Sequence, residues 1–503
     1  MKAIVKCVGI ALLILIAFKL APGATWYVHP DSTLNSIQDA LKICASFDTI
    51  LVGTGTYYEN IAWPAKVGIK LLSEQGPDSA IIDGSGTASV IIIDMTDIDT
   101  TTIINGFTIR NGYEPQNNAG GIWCWGASPI ISGNRLVSNN GAAIACWECT
   151  PVIRENVITQ NNGQYGGGIH IHYAGDVRII DNTISSNSAQ SGGGIYCLKG
   201  TPLIQGNNIV NNTATARGGG LCFFRSLLQV IGNVIDNNSA DLHGGGIEIT
   251  EGHDILIRDN TITNNSADSL GGGVCCYYLG EAMIRSNIIE SNTAKCGGGI
   301  CNWHFEVTVM FNTIRNNVAQ YFGGGYYCSD GYPEQSILCN NIEDNVNYGV
   351  YNADTSMLLD AENNWWGDVT GPYHPTMNPN GQGDWVSDYV DYDPWLGHPF
   401  GIEEEELPLS VATDVLLHNN PNPFHSHTAI RFSLDMSSHV VLRVYDVAGR
   451  CVGTLVDRMY DAGMHDVVWV ARDSAGARFP AGLYFCVLNV GSYRVTKKML
   501  LLN

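Results

Sequence analysis

The sequence predicts an all-β chain in two parts, a long solenoid of short strands followed by a small β-sandwich. Three observations carry this. A glycine-led segment recurs at a nearly fixed interval, two series of asparagines keep step with it, and the composition changes near residue 400. The recurring segment reads AGGIWCW at 119, GAAIACW at 141, GGGIHIH at 166, GGGIYCL at 192 and GGGLCFF at 218. It continues as GGGIEIT at 244, GGGVCCY at 271, GGGICNW at 297 and GGGYYCS at 323. The last small residue of each triplet returns every 22 to 27 residues. A period in that range marks a stack of supersecondary units.

The chain begins with Lys2 and Lys6 around the apolar run IALLILIAF, then small residues near Ala21 to Ala24. A basic start, short apolar core and small-residue exit describe a secretory leader over residues 1–24. Composition sets further bounds. The formal net charge of −22 excludes nucleic acid as a partner, because phosphate binding needs clustered Lys and Arg. A hydrophobic share of 45% is enough for a sizeable core.

Each repeat carries one asparagine two residues before an apolar position: Asn134, Asn156, Asn182, Asn207, Asn233, Asn260, Asn287, Asn312 and Asn340. A second follows three residues after that apolar position: Asn139, Asn161, Asn187, Asn212, Asn238, Asn265, Asn292, Asn317 and Asn345. The stretches between are four or five residues with alternating apolar positions, which reads as strand rather than helix. Asparagine tolerates left-handed backbone, and its amide reaches the equivalent residue one coil away. Both series are therefore structural ladders, and the N-[ST]-A sequons on the second are ladder positions before they are glycan acceptors. The glycine triplets lack the Lys-Ser/Thr of a phosphate loop and lead into strands. They serve tight corners where strands stack closely.

In each glycine-led strand the first and third residues should face inward. The third is Cys124, Cys146, Ile171, Cys197, Phe223, Ile249, Cys276, Asn302 or Cys328, so cysteine there behaves as a small buried hydrophobe. Cys275 and Cys301 occupy second positions on neighbouring coils and are the best disulfide candidates. No His/Cys spacing supports zinc, and Cys146 with Cys149 stands isolated, so no metal site or cofactor is assigned; calcium is left open with no motif behind it.

The second and fourth residues should form a continuous outer face. Its rings include Trp123, Trp125, Trp147, Tyr196, Phe224, Tyr277, Trp303 and Tyr327. An exposed aromatic cluster is unusual without a partner, and flat rings suit sugar faces; equally, the rings could stack on one another beneath the following loops. Glu248 is the one carboxylate on these columns. His170, His172, Lys199 and Arg225 stand near enough in register to join it as catalytic candidates. Glycoside hydrolysis needs two carboxylates at a matched separation, and these columns offer one. The two histidines point the same way on one strand but lack a third metal ligand.

The repeat resembles the right-handed parallel β-helix proteins, with pectate-lyase-like and polymorphic outer-membrane proteins as relatives, over residues 25–398. STLNSIQDALKICASFDTILVGTGTYYENI looks like their opening module, in which Ile37, Ala40, Leu41 and Cys44 would form the apolar side of a capping helix. ENNWWGDVTGPYHPTMNPNGQGDWVSDYVDYDPWL resembles their closing segment, with Trp365, Trp366 and Trp395 plugging the core's end. The resemblance implies an active site on the glycine-led face, but the acidic cluster of the hydrolases and the Asp-rich site of the calcium lyases are missing. Polysaccharide binding is the favoured reading, with a lyase or hydrolase, or a passive stalk or adhesin, as alternatives; a monomer is expected.

After an acidic linker at 399–410, residues 411–503 read as about seven short strands, which fits an immunoglobulin-like sandwich. Pro421-Asn422-Pro423-Phe424, VYDVAGR ending at Arg450, Gly482-Leu483-Tyr484 and Lys497-Lys498-Met499 resemble the C-terminal sorting domain of type IX secretion substrates and the related domain of flagellar hook-capping proteins. That resemblance implies recognition by outer-membrane secretion machinery, and a protein secreted from, or displayed on, a Gram-negative-type bacterium.

Overall fold

The computed structural model describes residues 23–114, 116–330, 335–400 and 417–502, less 421, 423, 435–437, 447–449, 462, 473–477 and 491–492. Residues 1–22, where the leader is expected, and nearly all of the expected acidic linker lie outside these residues. The chain divides into two compact units, residues 1–401 and 402–503.

The first unit is a parallel β-helix. Successive coils add strands to three long sheets of 15, 12 and 12 strands, each pairing in parallel with its equivalent one coil away. Register is exact along the glycine-led sheet: Ile122, Trp123, Cys124 and Trp125 lie beside Ile144, Ala145, Cys146 and Trp147, and Glu248 lies beside Cys275. The lumen is filled by columns such as Ile158, Ile184, Ile209, Ile235 and Ile262, all fully buried. Each such side chain contributes about 1.5–3 kcal/mol of burial. The third-position residues Cys124, Cys146, Cys197, Cys276 and Cys328 are buried in this same core.

Both asparagine ladders form. Asn187 donates its backbone N–H (3.0 Å) and its Nδ2 (3.1 Å) to Oδ1 of Asn212 on the next coil. Its Nδ2 also donates to the Ile158 carbonyl on the preceding coil, 2.9 Å away. Each amide thus satisfies corner backbone groups that water does not reach. The backbone differs from expectation at one point: the left-handed residue is the one preceding each ladder asparagine, such as Ser186 (φ 54°), Asn211 (φ 57°) and Asn237 (φ 53°). The side-chain bonds hold the asparagine itself in regular geometry and pass the turn to its neighbour. Asn364 ends the first ladder, and an aspartate, Asp384, ends the second.

Gly244–Gly246 shows why the triplets are glycine. Gly244 has φ +65°, a Cβ on Gly245 would lie 2.4 Å from the Ser266 carbonyl oxygen, and one on Gly246 would lie 2.6 Å from that of Gly273. The near neighbour of Gly245 belongs to a fourth, six-stranded sheet that the periodicity did not reveal. It runs Ser188–Ser191, Thr213–Arg217, Ser239–Ala240, Ser266–Ala267, Thr293–Cys296 and Val318–Phe322.

The helix Ile37–Ile43 closes the first coil, with Ile37, Ala40, Leu41 and Cys44 buried. Ser36 caps it by accepting from the Asp39 N–H, and the Glu59 carboxylate takes the N–H groups of Ile37 (2.9 Å) and Gln38 (2.8 Å). At the far end Trp366 is wholly buried in the lumen core and Trp395 packs against it. Trp365 is buried outside that core, donating its indole N–H to Glu343.

The second unit is a sandwich of seven antiparallel strands among the described residues, three in one sheet and four in the other. Phe424, Tyr484 and Met499 from the quoted motifs are core residues. Asn422 ties its segment to the last strand, accepting from the Leu500 N–H at 2.8 Å.

Candidate functional site

The outer face of the glycine-led sheet has two layers. Second and fourth residues both point away from the lumen, as registration requires, yet most second-position side chains are buried, whereas the fourth-position ones are partly or, at Trp125, largely open, Thr250 excepted. The second-position column is roofed by the residues just before each triplet, which the side sheet lines up as Ser191 beside Arg217, then Arg217 beside His243, His243 beside Leu270 and Leu270 beside Cys296. Tyr327, Cys275 and Cys301 consequently form a small buried cluster with Leu270, and His170 and Glu248 are buried too. A fully open two-column face is therefore corrected to one open column beside a covered one. Cys275 and Cys301 are adjacent and buried, and both are free thiols.

The open column is most aromatic near its N-terminal end. Trp125 is 47% exposed, with ring centroids 6.1 Å from Trp123 and 6.5 Å from Trp147. Trp147 meets His172 edge-on at 5.0 Å, and His172 meets the exposed Tyr173 at 4.6 Å. Lys199 donates to the Tyr173 hydroxyl at 3.2 Å and its ammonium lies over that ring. Further along, Phe224, Tyr277 and Trp303 are half-buried, with Tyr277 and Trp303 6.1 Å apart. Tyr196 packs beneath Tyr165, at 4.9 Å. The rings thus touch one another and still present faces and edges to solvent, combining both sequence readings.

The catalytic candidates do not assemble. His170 Nδ1 accepts from the Asn118 Nδ2 at 3.3 Å, and burial pushes its pKa down to about 3, so it is neutral at physiological pH. His172 is likewise shifted down, by burial first. Arg225 pairs with Glu251 at 2.6 Å beyond the end of the strand, and Lys199 is engaged by Tyr173. Glu248 instead meets Cys275 from its own column and two residues, Arg217 and His243, that the repeat alignment does not single out. Its Oε1 accepts from the Thr250 hydroxyl at 3.0 Å and lies 3.9 Å from Nη1 of Arg217. Burial raises its pKa to about 7, against the opposing pull of Arg217. His243 and Cys275 complete the cluster, their ligand atoms and that of Glu248 lying within 4.8 Å of one another. None of these neighbours is a carboxylate. Arg217 and His243 were visible in principle: each immediately precedes a triplet, and the alignment that registers the glycines registers that position too.

A family model described as "Right handed beta helix region" matches residues 60–214 and 232–365. No curated protein matches the chain. Among solved structures, the A-module of mannuronan C-5 epimerase AlgE6 from Azotobacter vinelandii is 12% identical, with 71% of this chain and 93% of that one covered and a TM-score of 0.33. The Dettilon tailspike protein is 10% identical over 90% of this chain and 91% of its own, with a TM-score of 0.43. XylC in complex with xylose is 11% identical over 94% and 100%, with a TM-score of 0.41.

Proposed function

The chain belongs to the right-handed β-helix family, and from the geometry of its outer columns we propose that it binds an extended polysaccharide along the fourth-position column. The observation that carries this is the run Trp125, Trp147, His172 and Tyr173, which leaves aromatic surface open on successive coils. Parallel strands repeat about every 4.8 Å, so the stack offers rings at short, regular intervals to a polymer lying along it. A sugar has one apolar face that stacks on a ring while its hydroxyls remain in water. The net charge of −22 opposes a polyanion, and a neutral polymer is the better fit.

Display outside the cell belongs to the same reading. The leader over residues 1–24 supports export, and the Asn422, Phe424, Arg450 and Tyr484 marks support recognition by outer-membrane secretion machinery. The test is a panel of neutral polysaccharides scored for binding and for product. Binding by the full chain that falls on the order of tenfold or more in Trp125→Ala/Trp147→Ala, about 1.4 kcal/mol or more, supports the proposal. Reducing-end or unsaturated product that disappears in Glu248→Gln would replace it with catalysis. Binding that ignores both tryptophans, or a blank panel with folded protein, would leave a stalk or adhesin with a protein partner.

A further inference from the structure

We infer that His243, Glu248 and Cys275 form a site for a borderline divalent metal ion, zinc above all. The three come from neighbouring coils. His243 precedes one triplet, Glu248 is the second residue of the strand that follows, and Cys275 lies beside Glu248 in register. One imidazole nitrogen, one carboxylate oxygen and one sulfur approach within 4.8 Å of each other. A divalent ion bonded tetrahedrally at about 2.0–2.3 Å to each donor needs donors about 3.3–3.8 Å apart, so side-chain rotation must draw in any of these atoms that stand nearer the 4.8 Å limit.

The independent observation is unmet demand. Glu248 is wholly buried and its Oε2 has no N–H or O–H donor, the Cys275 thiol being the one further donor beside the carboxylate; the buried Nδ1 of His243 has no partner. A buried carboxylate oxygen left without a strong donor is costly, and the fold does not call for one here: equivalent positions on other coils hold Ala145, Tyr196, Cys222 and Cys301. The other oxygen is already engaged, by Thr250 and Arg217. That division of labour is how outer groups orient a metal ligand. Tyr277 fixes the imidazole from the side, with centroids 5.0 Å apart.

The donor set selects the ion. Nitrogen, sulfur and a single carboxylate suit zinc or cobalt, whereas calcium takes six to eight oxygens. On binding, the metal–sulfur bond forms as the Cys275 S–H bond breaks and its proton leaves to solvent. Thiolate and carboxylate then balance the ion's two charges, and the fourth coordination position is left to water.

Cobalt titration of the tag-free full chain under reducing conditions tests this. One equivalent should bind with a near-ultraviolet thiolate-to-cobalt band, and zinc should displace it. Cys275→Ser should lose the band, and His243→Ala and Glu248→Gln should each weaken binding on the order of tenfold or more. Cys301→Ser should bind as the parent does, which guards against a Cys275–Cys301 disulfide hiding the site. No band in the parent and in Cys301→Ser, or a band that survives Cys275→Ser, overturns the assignment. These readouts do not depend on polysaccharide binding.

Discussion

Replacing Asn238 with alanine tests the ladders where they are most regular. The Asn238 Oδ1 accepts from the backbone N–H (2.9 Å) and Nδ2 (3.0 Å) of Asn212, while its own Nδ2 donates to the Ile209 carbonyl (2.9 Å) and to Oδ1 of Asn265 (3.0 Å). Alanine leaves the Asn212 N–H, in a fully buried corner, without an acceptor. An orphaned buried donor costs about 1–3 kcal/mol. The Asn212 amide keeps its bond to Ile184, and Asn265 Oδ1 keeps the Asn238 backbone N–H, so those groups are weakened rather than orphaned. Adding about 1 kcal/mol for each of the three remaining lost bonds gives a destabilisation of about 4–6 kcal/mol. That is a large share of the 5–15 kcal/mol typical of a folded domain.

Guanidinium unfolding followed by circular dichroism measures it. Asn208→Ala, an exposed asparagine on the preceding coil, that of Asn212, is the control and should stay within about 0.5 kcal/mol of the parent. Because each coil touches only its neighbours, hydrogen exchange should accelerate first at the coils around residues 212 and 238. A loss below about 1 kcal/mol in Asn238→Ala, or a loss matched by the control, would refute the view that the amides satisfy the corners.

Two further outcomes follow from the same geometry. Gly245→Ala should impair folding far more than a glycine-to-alanine change at the open Gly86, because a Cβ at 245 meets backbone oxygens at 2.4 and 2.5 Å while one at 86 meets nothing; equal soluble yields and equal melting temperatures would contradict this. Asp384 occupies an asparagine's place, and burial raises its pKa to about 7 from 3.8. The folded state therefore holds a proton that the unfolded state has released between about pH 4 and pH 7, so stability should fall as pH rises through that window. Asp384→Asn keeps an acceptor for Asn345 and should flatten this part of the melting-temperature profile; an unchanged slope would show that the carboxyl is not strained there.

The lumen and both ladders were legible because their signals repeat. Coil after coil places an isoleucine, leucine or valine beside Ile184 or Ile179, and the ladder corners repeat an asparagine until Asp384 takes its place. The side sheet was not legible. Its strands are as short as Ser239–Ala240 and Ser266–Ala267, with no hydrophobic alternation to announce them. Its position is set by where the Asn-led corner delivers the chain, a property of three-dimensional path. Without that sheet the second-position column looked exposed, so His170, Glu248 and Tyr327 were grouped with Trp125 and Trp147. The Glu248 cluster was missed for the same reason: Arg217 and His243 approach it from the side sheet, and a reading confined to the glycine-led strand cannot bring them together.

The covered column is where this fold can hold chemistry without risking its core, and a last substitution examines the cost. In the metal-free protein Glu248 has one oxygen without an N–H or O–H donor, and its carboxyl is strongly desolvated. Arg217, whose side chain is 37% exposed, can turn to water if its partner is removed. Replacing a buried charged group by a well-packed hydrophobe of similar size is often neutral or stabilising by about 1–4 kcal/mol. Glu248→Met should therefore unfold at higher denaturant than the parent when both are held in chelator. If zinc binds as inferred, adding it should close or reverse the gap, because an ion that binds only the folded parent stabilises that protein alone. A methionine variant less stable than the chelated parent by more than about 1 kcal/mol would mean that Glu248 is already satisfied by the fold, and the case for a metal would lose its main support.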